Sequence, residues 1–160
     1  MIYSSACAYA IRALSWLALK NPQGYTLLDE LCEQTDLPRH FLAKVFQDLV
    51  RAGVLVSARG RGGGFALARP ADSIRLMEVV EAIDGTQALK QCVVGMARCN
   101  DEQPCPQHDQ WKPLRSQIRA FLDETTLLRA SETLNRKLEL IGATSPAEAL
   151  ARDMGPKRKR

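Results

Sequence analysis

No stretch of this 160-residue chain approaches the roughly 20 consecutive apolar residues that a helix needs to cross a bilayer, so no membrane partner is expected. A secretory leader is not expected either. The first helix-like stretch, Ala6 to Leu19, has Arg12 in its middle and no basic residue before it. Low complexity is confined to the last four residues and there is no internal repeat. The 10 glycines and 8 prolines are too few for a disordered chain. Histidine occurs only twice, with no nucleophile–base pair or carboxylate pair evident, so an enzyme is not expected. Charge of a single sign is also absent: 22 basic and 18 acidic residues give +4. These absences leave a soluble, cytoplasmic, globular protein. Its length suits one domain with appendages.

Charge is uneven along the chain. Residues 1–70 hold 8 basic and 5 acidic residues, residues 71–106 hold 3 and 6, and Lys157-Arg158-Lys159-Arg160 are all basic. A mildly basic first half fits a nucleic-acid partner, and the tail adds non-specific attraction to phosphates. Five cysteines are present, Cys7, Cys32, Cys92, Cys99 and Cys105, the last three within 14 residues. An odd number without a secretory signal argues against a disulfide scaffold and for a metal, cluster or redox site.

Hydrophobic spacing predicts the elements. Ile2, Ala6, Ala10, Ala13, Leu14 and Leu17 stripe a helix over 2–20, which Asn21-Pro22-Gln23-Gly24 breaks. A short helix is expected from Thr26, as N-cap, to about Gln34. Thr35-Asp36-Leu37-Pro38 is a turn, and Phe41, Leu42, Val45, Phe46, Leu49 and Val50 stripe a third helix over 39–52. The period then changes. Val54-Leu55-Val56 and Phe65-Ala66-Leu67 read as strands around a glycine-rich basic turn. Further helices are expected from near Ser73 to Gly85, from about Asp109 to Thr125, over 127–141 and over 145–152.

Three helices followed by a hairpin is the order of a winged helix. In a helix–turn–helix the helix after the tight turn enters the DNA major groove. Its exposed early positions here are Arg39, His40, Ala43, Lys44 and Gln47. Arginine suits guanine or a phosphate, and glutamine suits adenine. Arg59 and Arg61 at the wing tip suit the narrow, negative minor groove. The turn Gly60-Arg61-Gly62-Gly63-Gly64 lacks the lysine–serine/threonine ending of a phosphate loop, and a strand follows it. A module that controls an enzyme by docking has the same element order and stays open.

Cys92, Cys99, Cys105 and His108 form C-x6-C-x5-C-x2-H. Three thiolates and one imidazole suit zinc in a closed structural site or an iron–sulfur cluster. A metal-free thiol switch remains open. Cys105 precedes the long helix, whose N-terminus should lower its thiol pKa, with Asp101 and Glu102 opposing. Cys7 and Cys32 lie on apolar stripes and read as buried, inert thiols.

Together these residues resemble the IscR-type winged-helix transcriptional regulators, the family that also includes the nitric-oxide-sensing repressor NsrR. The resemblance covers residues 1 to about 130. It is carried by Tyr9-Ala10 with Leu14, Leu37-Pro38 through Phe41-Leu42, Leu49 to Leu55, the wing Ser57 to Ala68, Val79 to Gly85, and the three-cysteine loop. The resemblance implies a mainly α fold with a small β-hairpin. Residues 1–85 would be the DNA-binding domain, 86–108 a sensor loop, 109–142 the dimerisation helix and the helix after it, and 143–160 an extension with a basic tail. It also implies a repressor that binds a palindromic operator in double-stranded DNA as a homodimer. Leu114, Ile118, Phe121 and Leu122 would cross to the partner. A [2Fe–2S] or [4Fe–4S] cluster would be held by Cys92, Cys99 and Cys105, with His108 as fourth ligand. The first cysteine gap is six residues here and five in the IscR branch. Ser4 to Arg12 contains no Asp or Glu, which excludes the carboxylate ligand that some members supply from the first helix.

Overall fold

The computed structural model describes residues 2–85, 89–90, 92–96 and 99–154. The described residues form a mainly helical winged-helix fold with one two-stranded antiparallel sheet. Helix α1 spans Ser5–Lys20. The Ser4 hydroxyl oxygen caps it, accepting from the Cys7 N–H at 3.1 Å. The Ser4 hydroxyl and N–H both donate to the Asp84 carboxylate, far along the chain. Cys7, Ala10, Ala13, Leu14 and Leu17 are buried. Small alanines in this stripe let α6 (Leu127–Ile141) lie along α1, its most extensive helix–helix packing.

Helices α2 (Leu28–Thr35) and α3 (Arg39–Arg51) are joined by a sharp turn. Asp36 makes it by adopting the left-handed conformation, φ 53°, and its N–H donates to the Cys32 carbonyl. Aspartate tolerates this region because its short polar side chain bonds locally. Leu42, Val45, Phe46 and Leu49 bury one face of α3, and the Phe46 ring meets Phe65 edge-on at 5.1 Å between centroids.

Strands β1 (Leu55–Ala58) and β2 (Gly64–Leu67) pair with Leu55 opposite Leu67 and Ala58 opposite Gly64. Thr26 is not a helix cap, as its sequence neighbourhood suggested. It pairs with Phe65 by two backbone hydrogen bonds of 2.9 Å, and α2 starts two residues later without a side-chain cap. The wing is thereby stitched to the segment entering α2.

The helix expected from Ser73 is delayed. Ala71–Ser73 form a 3₁₀ turn, and α4 covers Leu76–Asp84. The intervening Ile74 and Arg75 are extended because they pair with the junction between α5 (His108–Glu124) and α6. Leu76 N–H donates to Thr125 O at 2.9 Å and Leu127 N–H to Ile74 O at 2.8 Å. Glu78 then caps α4, accepting from the Arg75 N–H at 2.9 Å and pairing with Arg69. Partial burial raises the Glu78 pKa. The Arg75 N–H and the Arg69 guanidinium outweigh that and hold it below the usual carboxylate range. A depressed folded-state pKa contributes stability above the unfolded value and loses it as pH falls through the folded one. Glu78→Gln is therefore expected to lower stability by about 1 kcal/mol at pH 7. Urea titrations across pH 7 to 3 should show that difference shrinking.

After α6, Gly142 in the left-handed region ends the helix and α7 (Pro146–Met154) folds back. Ala143, Ser145 and Ala149 are buried, and α7 packs chiefly against α2.

Candidate nucleic-acid interface and cysteine centre

The turn at Asp36 and the buried face of α3 together decide what α3 shows to solvent. With Leu42, Val45, Phe46 and Leu49 inward, His40, Lys44 and Gln47 emerge at i, i+4 and i+7 as one exposed row. Arg51 continues the same row, and sequence reading passed it over because it sits at the helix end. Arg39 is also exposed, and its Nε donates to Asp29 on α2 at 2.6 Å. Both side chains are well exposed, so the ion pair contributes little and a phosphate can replace the carboxylate.

Arg59 and Arg61 are exposed on the wing tip. The tip is shaped by glycines for two separate reasons. At Gly63 a Cβ would lie 2.4 Å from the Ala58 carbonyl oxygen. At Gly64, φ is +134° and a Cβ would lie 2.2 Å from the Thr26 carbonyl oxygen. The basic tail Lys157 to Arg160 lies outside the described residues.

The second candidate centre is the cysteine loop ahead of α5. Cys92 and Cys105 are buried, and each thiol acts on the other's ionisation. The backbone N–H groups of Val94, Met96 and Gly95 also favour the Cys92 thiolate. The Val94 N–H is the strongest influence, and together they lower the thiol pKa against burial. Cys105 behaves in the opposite way to the expectation from its place before α5. The Gln107 N–H favours its thiolate, yet burial and the neighbouring Cys92 and Cys99 sulfurs outweigh that and raise its pKa. Of the pair, Cys92 is the readier thiolate.

Cys99 belongs to a second pair. Its Sγ lies 3.6 Å from Nδ1 of His108, which is buried in the first turn of α5. Nε2 of His108 stands 2.8 Å from Oδ1 of Asp101, and Lys112 Nζ donates to both Asp101 oxygens at 2.7 Å. Lys112, foremost, and His108 hold the Asp101 carboxyl below its ordinary range. Asp101, read from sequence as opposing thiolate formation, is thus neutralised and orients the histidine. Lys112 carried no sequence signal for this role, because only the fold brings it back onto Asp101.

A carboxylate on one imidazole nitrogen with the other turned to a ligand position is the usual outer-shell support of a metal-binding histidine. Even so, no three His, Cys, Asp or Glu side chains among the described residues stand together as a metal site. The four candidate ligands form two pairs, Cys92–Cys105 and Cys99–His108, which are near enough for Cys99 to act on Cys105. Trp111, also in the first turn of α5, has its indole Nε1 buried without an acceptor among the described residues.

The remaining cysteines have no such surroundings. Cys7 is fully buried in α1, and burial, helped by Asp84, pushes its thiol up to about 12. Burial likewise raises Cys32, with Asp29 adding to it. On α5, Leu114 and Phe121 are 51% and 52% exposed, whereas Leu122 is fully buried in its own chain. Leu122 is therefore not free to cross to a partner. Its neighbour Ile118 is half-buried against the same core. No described helix is long and apolar enough to cross a membrane.

Residues 3–132 match the family model described as Rrf2, iron-dependent transcriptional regulator. The chain is 35% identical over 129 residues to a protein of Aquifex aeolicus named as an HTH-type transcriptional regulator, covering 79% of this chain and 89% of that one. It is 32% identical over 127 residues to the HTH-type transcriptional regulator IscR of Vibrio campbellii, covering 79% and 75%. Its fold is similar to that of CymR, the global cysteine regulator of B. subtilis, with a TM-score of 0.69 at 23% identity over 81% of this chain and 95% of that one. These relatives are transcriptional regulators and not enzymes. With the helix pair, the wing and the cysteine loop in the expected order, the chain belongs to the Rrf2 family of winged-helix transcriptional regulators.

Proposed function

We propose that the protein binds double-stranded DNA as a homodimer at a palindromic operator and represses transcription. One observation carries this reading. The exposed row His40, Lys44, Gln47 on α3 is presented by a tight turn and flanked by a wing that carries Arg59 and Arg61 at its tip. In this reading α3 lies in the major groove, Arg39 and Lys44 take phosphates or guanine, and Gln47 meets adenine. Arg59 and Arg61 follow the adjacent minor groove. The exposed Leu114 and Phe121, with Ile118, supply the partner-facing stripe on α5. Two recognition helices must then stand about 34 Å apart, so small shifts of α5 alter affinity.

The test begins with a duplex selected by the full chain from a random pool. Arg59→Ala should weaken binding to it by about 1–3 kcal/mol. Lys44→Ala should weaken all duplexes alike and reduce the salt slope by about one. Unchanged affinity in both would sink the interface. A chain ending at Pro156 separates the tail's non-specific attraction from the rest. An interaction module that controls an enzyme would show no steep salt dependence once the tail is gone.

The cysteine loop is proposed to hold an iron–sulfur cluster through Cys92, Cys99, Cys105 and His108. The donor set fits in chemistry. Backbone N–H groups lower the Cys92 thiol pKa, Asp101 orients His108, and the unsatisfied Trp111 N–H suits a sulfide-bearing neighbour. When bound, such a cluster supplies a redox-active charge at the start of α5, the helix assigned to the partner contact. A second reading is favoured by the Cys92–Cys105 contact. The two thiols already act on each other's ionisation, and a metal-free dithiol–disulfide switch needs two neighbouring thiols. Zinc at the same four ligands is the third outcome that metal analysis distinguishes.

A further inference from the structure

Asp29 places an acid beside the basic row of α3. It sits in the first turn of α2, and Arg39 is the first residue of α3. Asp29 Oδ1 accepts from Arg39 Nε at 2.6 Å. The side chains of Asp29 and Arg39 are 74% and 67% exposed, so burial fixes neither, and their bond alone directs the guanidinium. The backbone beneath them is fixed. Leu31, Thr35, Leu37 and Leu42 are buried on both sides of the Asp36 turn, and the Thr35 hydroxyl donates to the Leu31 carbonyl. The neighbouring row, His40, Lys44 and Gln47, carries no acid. A carboxylate beside it repels the phosphates that the row attracts. An acid in a first turn does suit the positive end of a helix, but Glu30 already meets that need in α2. Asp29 therefore calls for a use of its own.

The atoms of the pair point to that use. A guanidinium carries its N–H groups in a rigid planar fork. Asp29 takes the one on Nε, which leaves the two Nη groups at the far end unengaged among the described residues. Two such groups together match O6 and N7 of a guanine. We propose that Asp29 is a positioning residue that holds Arg39 with its Nη groups turned outward to read a guanine. The inference deepens the DNA-binding reading above and rests on it. An arginine free to swing settles readily on a phosphate, a contact that carries no sequence information. Tying Nε to α2 restricts that swing before DNA arrives, so less ordering remains to be done on binding. The carboxylate thus weakens binding to arbitrary sequence and sharpens the preference for one base, which is how specificity is gained by repulsion as well as by attraction. Asp29 touches no base in this arrangement and acts only through Arg39.

Binding of the full chain to its selected duplex, and to a set of duplexes that changes each base pair singly, tests the pair. Arg39→Ala should erase the preference for guanine at one position of each half-site, a loss of about 10–100-fold. Asp29→Ala should cut the preference at that same position about tenfold. Its binding to unselected duplex should instead tighten about two- to fivefold, because a carboxylate has left the side facing the phosphates. Opposite changes in specific and non-specific binding are a signature that a merely structural role would not produce. Asp29→Asn keeps an oxygen for Nε and should retain the preference. Glu30→Gln removes the same charge from the same turn but not the bond to Arg39, so it should tighten all duplexes alike. Circular dichroism checks that each variant is folded. Uniform weakening of all duplexes by Arg39→Ala would put Arg39 on a phosphate and overturn the proposal. So would an intact preference in Asp29→Ala, or an effect no different from that of Glu30→Gln. Asp29→Asn as harmful as Asp29→Ala would rule out the hydrogen bond as the cause. Each of these results leaves the DNA-binding reading standing. A chain that selects no duplex at all removes that reading, and this inference with it.

Discussion

Gly64→Ala should unfold about 10 °C below the natural chain, the largest stability loss expected from a single methyl group in this protein. The added Cβ would stand 2.2 Å from the Thr26 carbonyl oxygen, an atom of the backbone that cannot swing aside. Relief requires β2 to leave Thr26, which breaks both hydrogen bonds between Thr26 and Phe65. The φ of +134° adds strain that any residue with a Cβ must bear. Together these effects amount to about 3–4 kcal/mol. Gly60→Ala is the control. It has a positive φ of 88° but nothing within 4 Å of its Cβ, so only the strain remains. Thermal denaturation of both variants separates the two causes. Equal, small shifts for the pair would show that the wing does not depend on its stitch to Thr26. Because Phe65 packs on Phe46 of α3, Gly64→Ala should also weaken duplex binding more than Gly60→Ala does.

Cys92→Ala should lose all iron and sulfide from protein purified and reconstituted without oxygen, with the visible absorption going too. Cys99→Ala and Cys105→Ala should do the same. Asp101→Ala should keep the group but bind it about 10–100-fold more weakly, because His108 loses its orienting carboxylate. Cys7→Ala should keep the same iron and sulfide as the natural chain, since Cys7 is enclosed in the core with its thiol pushed up to about 12. Cys92 is the most informative substitution. It is the sulfur that three backbone N–H groups prepare as a thiolate, whereas Cys105 is held toward the thiol. A colourless protein with one zinc per chain would make the loop structural. A colourless, metal-free protein in which Cys92 and Cys105 become disulfide-linked on oxidation would establish the dithiol switch.

Much of this was legible before any fold was known. The stripe Leu42, Val45, Phe46, Leu49 sets the face α3 buries, and so fixes His40, Lys44 and Gln47 as its outer row. The period change after Gly53 marks the hairpin. The spacing of Cys92, Cys99, Cys105 and His108 marks the loop. These are local signals: a helix repeats every 3.6 residues and a strand every two, and a handful of neighbouring residues carries the pattern. Thr26 misled because a threonine before a helix satisfies the local rule for a cap. Its real partner, Phe65, is 39 positions away. Asp101 misled because its charge could be counted from sequence but its neutralisation by Lys112 could not.

The sequence by itself determined the order of elements, the outward row of α3, the basic wing and the soft-ligand character of the cysteine loop. Each follows from spacing along one short segment. Tertiary structure alone decided that Leu122 belongs to its own core, that Cys92 rather than Cys105 is the readier thiolate, and that the Arg12 Nε–H is buried without an acceptor among the described residues. Burial and hydrogen-bond satisfaction depend on which distant segments meet, and no local periodicity records that.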